Sequence, residues 1–140
     1  MAFGVQFPIR FHHVDHARLV YFPRYFDFCH QAFEDFFAAE VGLTYAEFFE
    51  QRGVGFPVVH TESDFRRPFR FGETCRIVLE TLHVGKGSAT HRYRFYRAQE
   101  SVLHAEVKLT TASIQIEPLC PAPLPDDVRA VFARHSASEP

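Results

Sequence analysis

The sequence predicts an α+β fold in which a five-stranded antiparallel sheet curls around one long helix. Three observations carry that prediction: an alternating segment near the N-terminus, a long apolar stripe at helical spacing, and extended segments separated by short turns in the second half. In residues 5–11, Val5, Phe7, Ile9 and Phe11 alternate with Gln6, Pro8 and Arg10, as in a half-buried strand, and Pro8 marks an edge position. From Pro23 the period changes. Tyr25, Phe28, Cys29, Ala32, Phe33, Phe36 and Phe37 recur at three and four residues, with Gly42 as the stop, which predicts a helix of about 18 residues and roughly 27 Å. Asp27, Gln31, Glu34 and Asp35 fall on its outer face. A second, short helix follows, opened by a Thr44/Glu47 capping box and closed by Gly53.

From Gly55 the helical period disappears, and extended segments are expected over residues 56–65, 74–84, 88–97 and 102–116. Their short connections predict antiparallel neighbours. In the last segment the apolar phase moves from Leu103, Ala105, Val107 and Leu109 to Ala112, Ile114 and Ile116, so a bulge is expected near Thr110 and Thr111. A proline-rich exit leads to a terminal helix with Asp126 near its N-cap, and residues 136–140 read as a disordered tail. Residues 1–140 form a single domain in this reading, without internal repeats.

A formal charge of -2 supplies no global field for nucleic acid, and no window approaches a membrane span. Cys29, Cys75 and Cys120 are odd in number, widely spaced and lack a C-x-x-C pair, which points away from a disulfide framework and toward a reducing cytoplasm. Seventeen phenylalanines with no tryptophan, most of them in the first half, predict a large aromatic wall.

The chemistry concentrates in "RFHHVDHARLVYFPRYF", residues 10–26. His12 and His16 stand four apart with Asp15 between them, a metal-ligand spacing on a helix. The stretch follows a strand and precedes Pro23, which suits the first position of a helix, so that argument fails and no metal is expected. The histidines can equally be solvated residues at a strand end. The segment "LVYFP" offers no side chain to take the free N–H groups of the coming helix, which leaves them available to an oxygen that develops negative charge. A carboxylate upstream, Asp15, and an uncapped helix start would form a minimal hydrolytic site.

The pattern F-x-x-x-D-x-x-x-x-V-Y-F-P-R-Y-F, from Phe11 to Phe26, resembles the N-terminal signature of hotdog-fold acyl-CoA thioesterases of the 4-hydroxybenzoyl-CoA thioesterase and YbgC-like type. The order of strand, long helix, "RG-x-G-x-P-V-V" and four strands is similar over most of the chain. The resemblance implies hydrolysis of an acyl-CoA thioester without a further cofactor, Asp15 as nucleophile or general base, and an oxyanion hole at the backbone N–H of Phe22. It also implies a homodimer or homotetramer with active sites between protomers. The chain departs from the family at His13, in place of an acidic residue; at His16, in place of proline or a small residue; and at Arg18, in place of glycine. His13 or His16 would assist Asp15 by holding water or raising its pKa.

CoA needs positive charge, and two clusters qualify: Arg66, Arg67 and Arg70, and Lys86, which the resemblance pairs with Ser88 two residues on. The acyl pocket is expected to combine the helix, including His30, with Phe56, Val58 and His60 of "GFPVVH", which favours an aromatic or medium-chain acyl group. The alternative function is a non-catalytic hotdog module that binds acyl-CoA or a protein partner and uses the helix start as an anion seat.

Overall fold

The helices and the five strands of the main sheet are recognisable from local pattern, whereas three two-residue strands that form a second, smaller sheet are not. The computed structural model describes residues 2–137. β1 (Phe3–Pro8) leads through a short 3-10 turn at Phe11–His13 to α1 (Pro23–Val41) and α2 (Tyr45–Arg52). There follow β2 (Val54–Gly55), β3 (Val58–Phe65), β4 (Thr74–Val84), β5 (Ser88–Arg97), β6 (Leu103–Ala112), β7 (Ile114–Gln115), β8 (Cys120–Pro121) and α3 (Asp126–Arg134). The main sheet is antiparallel in the order β1-β4-β5-β6-β3, and β2, β7 and β8 form a small second sheet.

α1 lies against the main sheet. Tyr25, Phe28, Cys29, Ala32, Phe33, Phe36 and Phe37 are buried, and opposite them the strands turn in Cys75, Ile77, Leu79, Tyr93, Phe95, Ala105 and Val107. Each fully buried phenylalanine contributes ~1.5–3 kcal/mol relative to exposure. Truncating one, such as Phe36→Ala, is expected to cost ~3–5 kcal/mol. The helix stops where Gly42 takes a left-handed φ of 88°. In α2 both bonds of the capping box are present, Glu47 N–H to Thr44 Oγ1 at 3.0 Å and Thr44 N–H to Glu47 Oε1 at 2.9 Å.

Several expectations are corrected. β1 ends at Pro8, because the chain turns into the 3-10 segment, and Phe11 is 76% exposed instead of continuing the buried face. β3 and β4 are not neighbours: β1 takes the free edge of β4, and β3 sits beyond β6 at the opposite edge. The eight residues 66–73 span the intervening width of about 14 Å, three strand spacings, so no tight hairpin is required. Opposite Thr110 and Thr111 the extra residue lies on β3 and not on β6. Val58 pairs Thr111 and His60 pairs Thr110, leaving Val59 as the extra residue, while β6 keeps its odd-numbered phase inward through Thr111. Ile114 belongs to the second sheet, which explains the change of phase there. In α3 the N-cap is Pro125, and Asp126 and Asp127 occupy the first turn. Ser136 and Ala137, expected to be disordered, run alongside β4: Thr81 N–H donates to His135 O at 2.9 Å and Ala137 N–H to Thr81 O at 2.9 Å. The rest of the expected tail lies outside the described residues.

Candidate active site

The stretch from Arg10 to Phe26 folds as two tethered turns. Arg10 N–H donates to His13 Nδ1 at 2.8 Å, so the proton of a neutral His13 ring sits on Nε2. The ring is 6% exposed and meets Phe28 edge-on at 4.7 Å. Burial, and next the charges of His12 and Arg24, hold its pKa below the ordinary histidine value. His13 therefore serves as a neutral anchor for the turn.

Val14 and Val20 then pair across a tight loop in which Asp15 N–H donates to Leu19 O at 3.0 Å and Arg18 N–H to Asp15 O at 2.9 Å. Arg18 closes this loop at φ 65°, a left-handed conformation that favours glycine. A glycine would suit this position, and Arg18 adopts its geometry under strain. Ala17 N–H donates to Asp15 Oδ1 at 2.8 Å, which fixes the carboxylate on an exposed loop and leaves Oδ2 without a partner among the described residues. His16 is exposed at the tip and makes no hydrogen bond or ion pair among the described residues.

The loop delivers the chain to α1. Val20 N–H bonds Phe69 O at 3.0 Å, Leu19 bridges Arg70, and Tyr21 N–H donates to His13 O at 3.0 Å. Phe22 is the N-cap of α1, without a side-chain cap. Tyr25 N–H returns to Phe22 O at 3.2 Å, and Pro23 has no N–H, so the Phe22 N–H remains the unpartnered donor at the helix start among the described residues. A cleft of about 370 Å³ opens there, lined by Leu19, Val20, Phe22, Tyr25, Phe65, Arg66, Arg67 and Pro68. The structure thus brings Phe22 together with Arg66 and Arg67.

Lys86 and Ser88 are elsewhere. Ser88 pairs Ala112, whereas Phe65 pairs Ala105, and the seven positions of β6 from 105 to 112 separate the two ends by ~23 Å. The Lys86 side chain is exposed, and its turn is held from behind, with Arg129 donating to Gly85 O at 2.7 Å and to Lys86 O at 2.9 Å.

Between α1 and the inner face of β3 lies a second cavity of about 220 Å³. Phe26, His30, Phe33, Tyr45, Phe56 and Tyr93 supply most of its walls, with Val58, Thr61, Leu109 and Thr111 completing them. His30, Phe56 and Val58 are thus all in its wall. His60 is not: the bulge at Val59 re-phases the strand so that Val58 and Thr61 both face the cavity, and His60 is turned to the outer side beside Glu62, 3.5 Å away. His30 Nε2 is 2.6 Å from Glu34 Oε2, one turn along α1. Tyr93, Leu109 and Thr111 were missed as pocket residues because alternation marked them only as core. Among the described residues no group of three or more His, Cys, Asp or Glu is placed to hold a metal ion, and no helix is long and apolar enough to cross a membrane.

Comparison with known proteins agrees with this architecture. Residues 9–132 match the model of the Thioesterase-like superfamily. A 1,4-dihydroxy-2-naphthoyl-CoA hydrolase from Synechococcus sp. (strain CC9311) is 31% identical over 127 residues, covering 86% of this chain and 83% of the relative. Among solved structures, a 1,4-dihydroxy-2-naphthoyl-CoA thioesterase from Synechocystis superposes with a TM-score of 0.86 at 22% identity, over 95% of this chain and 96% of that one. A 4-hydroxybenzoyl-CoA thioesterase mutant complexed with 4-hydroxybenzoyl-CoA gives 0.84 at 19% identity, over 94% and 98%. These two likenesses show the fold. With strand, central helix and curled sheet in the order of the hotdog proteins and a match over nearly its whole length, the chain belongs to the thioesterase-like superfamily.

Proposed function

We propose that this chain hydrolyses the thioester of an aromatic acyl-CoA, with Asp15 and the Phe22 N–H as its reacting and stabilising groups. One observation carries the reading: a fixed carboxylate in the loop that feeds an uncapped helix start whose first free donor has no partner among the described residues. The thioester oxygen accepts from Phe22 N–H, where the positive end of α1 stabilises the charge that develops as the carbonyl becomes tetrahedral. Asp15 either takes a proton from the attacking water or attacks the carbonyl carbon itself; CoA leaves as the thiolate, and in the second case water then cleaves the acyl–Asp15 anhydride to release the acid and restore the carboxylate. Relatives named as 1,4-dihydroxy-2-naphthoyl-CoA hydrolases and the aromatic walls of the 220 Å³ cavity favour a planar aromatic acid, with Thr61, Thr111 and His30 available to ring hydroxyls.

The working unit in this reading is at least a dimer. All eight residues of the edge strand β3 are exposed, including Val58, Val59 and Phe65, which is the kind of open edge that proteins cover. Pairing β3 antiparallel with its own copy about a two-fold axis sets the Val58 end of one strand beside the Phe65 end of the other. The partner's Lys86 then approaches the end that carries Arg66 and Arg67, and the two basic clusters act on one CoA.

The test is thiol release over a panel of aromatic, short-chain and long-chain acyl-CoAs. Turnover of aromatic esters well above the others is expected. Absence of turnover across the panel would replace the enzyme with a binding module.

A further inference from the structure

Next to the cleft at Phe22 lies a separate pocket of about 190 Å³ into which the arginine cluster expected to meet CoA continues. Arg67, Pro68, Arg70, Arg97, Glu100 and His104 are among its lining residues, and it shares Arg67 and Pro68 with the cleft. Its charge is unbalanced. Arg97 is held by Glu73 at 2.9 Å and Glu100 at 3.4 Å, so both nearby carboxylates are engaged by one guanidinium. The guanidinium groups of Arg67 and Arg70 have no ion-pair or hydrogen-bond partner among the described residues.

The pocket is built by backbone as well as charge. Phe95 pairs Ala105 and Tyr96 pairs Leu103, so His104 is an extra residue in β6, and its carbonyl accepts the N–H groups of Arg66 at 2.8 Å and Arg67 at 2.9 Å. The bulge therefore fixes the backbone from which Arg67 projects. His104 itself is 2% exposed and stacked on Phe69 at 4.7 Å. Its Nδ1 is 3.0 Å from Val102 O, and its buried Nε2 has no partner among the described residues. Glu73 Oε1 accepts the Arg70 N–H at 2.7 Å, which holds the start of the Arg70 side chain in place.

We infer that this pocket binds a phosphate monoester, whose several acceptor oxygens suit two unpaired planar guanidinium groups approaching from one strand end. Resting on the acyl-CoA reading, its occupant is the 3'-phosphate of the CoA nucleotide, reached from the Phe22 cleft past Arg67; free phosphate has the same chemistry. The site lies on the protomer's own sheet end and does not involve Lys86.

The Arg70 side chain makes no hydrogen bond or ion pair among the described residues, so Arg70→Ala is the test variant. For the wild type, the KM of an acyl-3'-dephospho-CoA is expected to exceed that of the matching acyl-CoA by about tenfold at equal kcat, the loss for one charge-assisted contact felt equally in ground and transition states. Arg70→Ala should raise KM for the acyl-CoA and leave the dephospho ester unchanged, so that the gap closes, and Arg70→Lys should restore part of it. A parallel calorimetric titration with inorganic phosphate separates the two sources. Arg70-dependent phosphate binding that leaves the gap between the two esters intact assigns the pocket to free phosphate. No Arg70-dependent binding together with an intact gap overturns the pocket. If no thioester is turned over, the function has failed, and the phosphate titration still decides the pocket.

Discussion

Replacing His91 with leucine should stabilise the protein, and by an amount that grows as pH falls. His91 lies on the inner face of β5, fully buried, with its ring 4.6 Å from that of Phe132 and 5.8 Å from that of Phe33. Neither ring nitrogen has a hydrogen-bond partner among the described residues. Burial, helped by the nearby His135, pushes its pKa down to about 3. Above pH 6.5 the ring is neutral in both folded and unfolded chains, and the penalty is that of polar atoms without partners, so His91→Leu should add ~1–3 kcal/mol. Below pH 6.5 the unfolded chain takes up a proton that the folded one refuses, so wild-type stability falls as pH drops and levels off near pH 3. At pH 4.5 the drop is two pH units, or about 2.7 kcal/mol, and it approaches ~5 kcal/mol at the lower limit. The variant lacks this loss, while contributions from His13, Glu80 and Asp127 are common to both proteins and cancel in the difference. Urea unfolding at one protein concentration, followed by circular dichroism at pH 7.0 and pH 4.5, measures it. A stability difference that changes by less than ~0.5 kcal/mol between the two pH values would refute a neutral, unpartnered His91 in the core.

Asp15→Asn keeps the oxygen that accepts from Ala17, so it should fold normally and lose ~10²- to 10⁴-fold in kcat; near-normal turnover by the folded variant would remove Asp15 from the chemistry. Lys86→Ala should raise KM for the CoA ester by about tenfold with little change in kcat, less so at high salt, and leave an N-acetylcysteamine thioester unaffected. Equal losses on both substrates would mean that Lys86 does not meet the nucleotide. Arg18→Gly should be neutral or stabilising by up to ~1 kcal/mol at φ 65°, and Arg18→Val destabilising by ~1–2 kcal/mol; thermal melts that rank the two the other way would contradict the strain. Sedimentation should find at least a dimer at micromolar concentration, and Val59→Asp on the exposed edge should shift it toward monomer with loss of activity; a stable wild-type monomer would rule out the shared site.

Much of this protein is written in local patterns. The helical period of α1 and its glycine stop, the Thr44/Glu47 box of α2, and the limits of β4 and β5 were legible because each depends on residues a few positions apart. So was the centre of the candidate site, since a missing cap before Pro23 and a nearby aspartate are both features of one short stretch. What lines the cavity between α1 and β3 was only half legible. His30, Phe56 and Val58 were found from the segments that flank it, whereas a bulge at Val59, which exists only because β3 pairs with β6, turned His60 outward and Thr61 inward.

By itself the sequence determined the type and extent of the main elements and the pairing of a carboxylate with an open helix start, because hydrogen bonding within a turn and burial of one face act over a few residues. The tertiary structure alone decided the strand order β1-β4-β5-β6-β3, which separates β3 from β4 and puts Lys86 at the opposite sheet end from Phe22. It also decided the left-handed Arg18, the unpartnered His91, and the convergence of Arg67, Arg70 and Arg97 on one pocket. The physical reason is common to all of these. Local periodicity says which face of a strand is apolar but not which strand will cover its edge, and every bulge, orphaned nitrogen and cross-strand cluster is set by that neighbour.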